Sequence, residues 1–161
     1  MIVDAGPYAA RLADRRVEGH EVEVLGGMTR YWTYDPPAGV EPWATVVAVH
    51  GFRGEHHGLE PVVAHLPGMR IISPDLPGFG QTKAPDRGVF TYSFDNLAEI
   101  IEGFVEAIGL ERFALYIFDY GAPTGLRLAI KHPERIAAII SQNGNAYEEG
   151  FSDEWGPWQA Y

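Results

Sequence analysis

The chain has 161 residues, 46% of them hydrophobic and 21% charged, with 12 Lys+Arg against 22 Asp+Glu for a formal net charge of −10; this suits a single domain burying about 68–70% of its unfolded surface. The lack of cysteine excludes disulfides, thiolate metal sites and cysteine nucleophiles, and an acidic balance without basic clusters argues against nucleic acid or anionic membrane as partners. No apolar stretch approaches the ~18 residues of a membrane span and the N-terminus lacks a signal-peptide layout, so a soluble, cytoplasmic protein is expected.

A helical turn is expected around Tyr8–Arg15. Glu21–Val24 then alternates polar and apolar, and Thr29–Thr33 reads as its hairpin mate across Gly26-Gly27, together an antiparallel edge. Beyond the Pro-rich stretch 35–42, Ala44–Val49 is almost continuously apolar, as a parallel strand covered on both faces must be. Leu59–Leu66 fits a short helix and Met69–Ser73 a second buried strand. The clearest helix carries Phe94, Leu97, Ile100, Ile101, Phe104, Val105 and Ile108 on one stripe, with Ser93 as N-cap and Gly109 as its stop. Phe113–Phe118 follows as a third buried strand, Pro123–Lys131 as a helix with proline in its first turn, and Ile136–Ile140 as a fourth buried strand. Strand and helix thus alternate from Ala44 to Ile140, which predicts an α/β fold: a mostly parallel sheet with flanking helices and right-handed crossovers, preceded by an antiparallel N-terminal hairpin.

In such sheets ligands bind beyond the carboxyl ends of the strands. Asp119 follows the third buried run and is itself followed by an aromatic, Tyr120, and by two small residues, Gly121 and Ala122, which allow a sharp strand-to-helix turn with a carboxylate at its apex. That carboxylate could attack an electrophilic carbon to form an ester, with the helix N-terminus favouring its ionised form; an aspartate here could equally serve only as a helix cap. After the first run stands His50-Gly51-Phe52-Arg53-Gly54. An oxyanion hole in this architecture draws one backbone N–H from the residue after the nucleophile and one from the loop after an earlier strand, which makes Tyr120 and Phe52 the matching donors. Gly51 allows close approach of the backbone, and His50 reads as a residue hydrogen-bonded within its loop.

Three motifs in this order, His50-Gly51, the loop Pro74-Asp75-Leu76-Pro77-Gly78-Phe79-Gly80 and the elbow at Asp119, resemble the α/β-hydrolase superfamily. Aspartate at the elbow is similar to the haloalkane dehalogenase and epoxide hydrolase branch. The resemblance implies Asp119 as catalytic nucleophile, Phe52 and Tyr120 in the oxyanion hole, His50, Gly51 and Gly121 as loop support, and no cofactor. Its partner is a small electrophilic substrate, whose ester with Asp119 a histidine-activated water releases. Dehalogenases place Trp where Tyr120 stands and Asn or Trp where Phe52 stands; a phenol can donate a hydrogen bond, whereas Phe52 offers only its backbone. The resemblance also implies that residues 1–145 form the N-terminal part of a core domain and that 146–161 begin a cap, with Trp155 and Trp158 on an exposed cap-facing surface suited to self-association.

In the family the histidine follows the nucleophile. Here only His132 does, and thirteen residues of helix place it about 20 Å away, at a helix end. His56-His57 lacks a third ligand at sensible spacing, so no metal site is expected. The expectation is therefore the N-terminal half of a hydrolase acting on an epoxide or alkyl halide, not competent for turnover as it stands. The alternatives are an ester or lactone hydrolase of the same fold, or a non-catalytic truncated hydrolase that serves as a binding or assembly module.

Overall fold

The computed structural model describes residues 9–86 and 88–150. Six strands form one sheet: β1 (Arg16–Val24), β2 (Gly27–Asp35), β3 (Ala44–Val49), β4 (Met69–Pro74), β5 (Phe113–Phe118) and β6 (Ile136–Gln142), in the spatial order β1-β2-β4-β3-β5-β6. β3, β4, β5 and β6 run parallel, and β2 joins them antiparallel to β4. The continuous apolar run of β3 follows from this position. Val47 and Val49 face one core cluster while Val46 and Ala48 face another, so both sets of alternating side chains must be apolar.

The described residues form four α-helices, α1 (Ala9–Leu12), α2 (Glu60–Val63), α3 (Phe94–Ala107) and α4 (Gly121–Lys131). The larger core cluster joins Ile100, Ile101, Phe104 and Val105 of α3 to Leu128 of α4 and to Leu115 and Ile117 of β5. On the opposite face of the sheet, Leu59 and Val63 pack in one cluster with the strand residues Tyr34, Ile71 and Tyr116. Each fully buried Leu, Ile or Phe of these clusters contributes about 1.5–3 kcal/mol. Helix α3 begins where its cap was expected, with the Ser93 hydroxyl accepting from Asn96 N–H at 3.2 Å. It ends in a Schellman motif: Gly109, at φ 68, donates to Glu106 O and Leu110 donates to Val105 O, both at 2.9 Å.

Four expectations need correction. The hairpin turn is Leu25-Gly26, not Gly26-Gly27, and its strands are longer than the alternating segments. With Val24 opposite Gly27, both loop residues take positive φ (47 and 78), which a right-twisted hairpin requires of a two-residue loop. The stretch 59–66 is a 3-10 turn, His56–Leu59, followed by the single helical turn α2; Pro67 disfavours the helical conformation at Leu66 and ends the helix early. The last helix begins at Gly121, two residues before Pro123, directly out of the elbow. Finally, β6, expected to be buried, is exposed among the described residues. Among the described residues it pairs with β5 alone, and its side chains from Ala137 to Gln142 are exposed, Ile139 and Ile140 at 44% and 42%.

The opening helical turn is described from Ala9, and Tyr8 lies outside the described residues, as do Trp155, Trp158 and the cap segment beyond Gly150. No helix among the described residues is long and apolar enough to cross a membrane.

Candidate active site

Sheet order creates the site. From β3 the chain passes outward to β4, then crosses back over β3 through α3 to β5, so the loops leaving the adjacent strands β3 and β5 diverge. Val49 lies opposite Ile117 in the register, which sets the loop from His50 beside the loop from Phe118 in the crevice where ligands of such sheets bind.

Asp119 sits at the turn from β5 into α4 with φ 51, a left-handed conformation rarely taken by a residue with a side chain. Small neighbours permit it. A Cβ on Gly121 would lie 2.2 Å from Val49 O, and one on Gly125 would lie 2.5 Å from Ile117 Cγ2. In this geometry Asp119 Oδ1 accepts two backbone hydrogen bonds, from Phe52 N–H and from Tyr120 N–H, each at 2.7 Å. Oδ2 accepts none among the described residues. Two bonds of this length to one oxygen fix the orientation of the carboxylate. Asp119 therefore does more than cap a helix: the same oxygen that accepts from Tyr120 N–H, at the start of α4, also accepts from Phe52 N–H in the β3 loop.

The loop that supplies Phe52 is held on several sides. Gly54 N–H donates to Gly51 O at 3.0 Å, closing a turn in which Arg53 takes φ 56. The buried His50 ring bridges to the β4 loop: Nε2 accepts from Leu76 N–H at 2.8 Å, so Nδ1 carries the proton and donates to Gly51 O at 2.8 Å. Burial pushes the His50 imidazole below its ordinary pKa, against smaller upward pulls from the Gly51 carbonyl and from Asp75. A Cβ on Gly51 would stand 2.5 Å from Asp119 Cβ, so only glycine admits the close approach.

Asp75, wholly buried, is the second hub. Its Oδ1 accepts from His56 N–H at 3.0 Å and from His56 Nδ1 at 3.1 Å, and its Oδ2 accepts from Gln81 N–H at 2.9 Å. Burial raises its carboxyl pKa, but these bonds outweigh burial and hold it below the ordinary value. His56 thus finds carboxylate neighbours that spacing along the chain did not offer, since Glu55, His56 and Asp75 place ligand-type atoms within 4.8 Å of one another. Both oxygens of Asp75 are already committed to N–H donors, which fits a hydrogen-bonded clamp between two loops better than a cation site. His57 turns outward to Glu60 Oε1 at 2.9 Å. His132 caps the far end of α4 and pairs with Glu102 Oε1 at 2.6 Å.

A cavity of about 510 Å³ opens over Asp119 and Tyr120. Its walls include four residues not singled out as site residues from sequence: Phe94, Arg127, Asn143 and Tyr147. Phe94 was expected in the core stripe of α3, but as the first residue of that helix it reaches past the core and packs edge-on against Tyr120. The signal available for Asn143 was its place directly after a parallel strand; it too takes a positive φ, 51. No histidine lines the cavity among the described residues.

A family model described as the alpha/beta hydrolase fold matches residues 44–161, most of the chain. The chain belongs to the α/β-hydrolase family. An uncharacterized hydrolase of Saccharomyces cerevisiae is 43% identical to it over 144 residues, 88% of this chain and 48% of that protein. Haloalkane dehalogenase 1 of Mycobacterium tuberculosis is 35% identical over 77 residues, 48% of this chain and 25% of that protein. Among solved structures, an epoxide hydrolase from Vigna radiata superposes with a TM-score of 0.65 at 26% identity, over 78% of this chain and 39% of its own. This α/β hydrolase therefore stands with the dehalogenase and epoxide hydrolase branch, and it spans about half the length, or less, of these relatives.

Proposed function

We propose that the protein is a hydrolase whose Asp119 attacks an electrophilic carbon of an epoxide or alkyl halide to form an alkyl ester. One observation carries this reading: Phe52 and Tyr120 N–H groups both donate to Oδ1 of Asp119, at 2.7 Å each, and leave Oδ2 without a hydrogen bond among the described residues. Oδ2 is then the attacking atom. Its bond to carbon forms as the carbon–halogen or epoxide carbon–oxygen bond breaks; the halide leaves as the anion, or the alkoxide takes a proton from water. Oδ1 becomes the carbonyl oxygen of the ester. When water later adds to that carbonyl, negative charge returns to Oδ1, where two donors already stand. The same pair of N–H groups thus serves both halves of the reaction, and the reading calls for no cofactor.

Release needs a base for the attacking water, and among the described residues no histidine lines the cavity. Both ring nitrogens of His50 are engaged, Nδ1 in its own loop and Nε2 with the β4 loop, and His132 is held at the far end of α4. With the described residues alone, the ester is expected to accumulate. The test is intact-mass spectrometry after incubation with a panel of terminal epoxides and alkyl bromides, with peptide mapping of any adduct. A single adduct on Asp119, absent in Asp119→Asn, is the expected result. A folded protein that gains no mass from any electrophile would sink the nucleophile and favour the binding-module alternative.

A further inference from the structure

The cavity over Asp119 carries a chemical preference of its own. Phe94 and Tyr120 meet edge to face, with centroids 5.0 Å apart and planes at 77°, and Phe52 lies 5.0 Å from Tyr120 on its other side at 43°. Tyr147, largely exposed, lines the same cavity, which at about 510 Å³ is within the ordinary range for small-molecule sites. Ring faces are electron-rich and ring edges electron-poor, so a further ring inserted among these gains offset or edge-to-face contacts that an alkyl chain of equal size cannot make.

The charges select further. Arg127 is the one cationic side chain on the cavity wall among the described residues, and it is already compensated: Nε donates to Asp95 Oδ1 at 2.5 Å and Nη1 to Pro123 O at 3.0 Å. Its guanidinium stands 5.8 Å from the Phe94 ring centroid and already occupies the cation–π position that a cationic guest would need there. An anionic guest would meet the Asp119 carboxylate. We infer that the electrophile is uncharged and aryl-substituted, its reacting carbon at Asp119 Oδ2 and its ring between Phe94, Tyr120 and Tyr147. This inference rests on the proposed role of Asp119.

The test compares styrene oxide with 1,2-epoxyoctane, two uncharged terminal epoxides of the same carbon count. Attack by Oδ2 on the terminal carbon forms one carbon–oxygen bond, breaks the epoxide carbon–oxygen bond and draws one proton from water, so each adduct adds the whole reagent to Asp119. Rates of adduct formation are divided by each epoxide's rate with free acetate, which removes intrinsic reactivity. The normalised rate should be about tenfold higher for styrene oxide, and Phe94→Leu should lower that ratio. A normalised ratio of one or less in the unaltered protein overturns the aryl inference and leaves Asp119 as nucleophile. No adduct from either reagent overturns the nucleophile instead. Amide NMR titration with the unreactive 1-phenylethane-1,2-diol and octane-1,2-diol then decides the ring preference: shifts at Tyr120 and Tyr147 with the aryl diol alone support it, and equal or absent shifts overturn it.

Discussion

Replacing Gly51 by alanine tests the contact on which the candidate site depends. The added Cβ would lie 2.5 Å from Asp119 Cβ, 2.8 Å from Oδ1 and 3.0 Å from Cγ, whereas ordinary contacts begin at 3.4 Å. One partner must therefore retreat by about 0.9 Å on the steep repulsive side of the contact. If the carboxyl takes that displacement along the bond from Phe52 N–H, the present 2.7 Å becomes about 3.6 Å, beyond hydrogen bonding. The cost combines overpacking, about 1–3 kcal/mol, with loss of a hydrogen bond to a charged group, about 1.5–3 kcal/mol. The two overlap, so a net loss of about 2–4 kcal/mol is expected. Because the lost donor is half of the pair holding Oδ1, adduct formation on Asp119 should slow by about 10²–10³ if that pair acts as proposed.

Gly58→Ala supplies the control. Gly58 lies in the 3-10 turn His56–Leu59 and an added Cβ there meets nothing within 4 Å, so the substitution should be neutral or stabilise by about 0.4–1 kcal/mol through the unfolded chain. Urea denaturation of the two variants against the unaltered protein, followed by near-ultraviolet circular dichroism, reads the difference directly. If Gly51→Ala unfolds within about 0.5 kcal/mol of Gly58→Ala, the Asp119 side chain does not lie against the β3 loop, and the reasoning that places Phe52 N–H on its carboxylate fails.

Leu25 takes φ 47 in a two-residue turn, exposed to 62%, so Leu25→Asn should gain about 1 kcal/mol by easing a left-handed residue at little cost in packing; an unchanged or lower urea midpoint would contradict the turn geometry. Burial holds the His50 pKa below its ordinary value, so the folded state binds a proton less readily than the unfolded chain, and stability is full above about pH 6.5 and falls as pH drops through that range. The urea midpoint should thus be lower at about pH 5.5 than at about pH 7.5, with a smaller difference in His50→Asn; an equal slope in that variant would remove His50 as the cause. Phe104, fully buried between the sheet and α3, should cost about 3–5 kcal/mol as Phe104→Ala, read as a shift in the same midpoint.

Strand and helix positions were legible where one side chain's environment repeats along the chain. The stripe from Leu97 to Val105 and the two-faced apolar run of β3 each state their own burial, and Ser93 and Gly109 state where α3 begins and ends. The failures share a physical cause: they concern neighbours that the local pattern does not name. β6 reads as a buried strand because Ile136, Ile139 and Ile140 are apolar, yet its cover depends on what lies beside it in the sheet. The clamp of Asp75 on His56 spans two loops nineteen residues apart, and neither loop carries a sign of the other.

The candidate site shows the same division at higher resolution. Asp119 and Phe52 stand 67 residues apart, and each loop carried its own signal: small residues after a carboxylate in one, a glycine before an N–H donor in the other. What joins them is the sheet order, because β4 lies outside β3 and the chain must return across β3 to build β5. Had β5 formed beyond β4 instead, every local pattern would survive while the β3 loop and Asp119 would be separated by a strand, about 4.8 Å further apart. That spacing exceeds the reach of a 2.7 Å hydrogen bond, so the order of strands, rather than any residue in either loop, is the condition for Oδ1 to hold two donors at once.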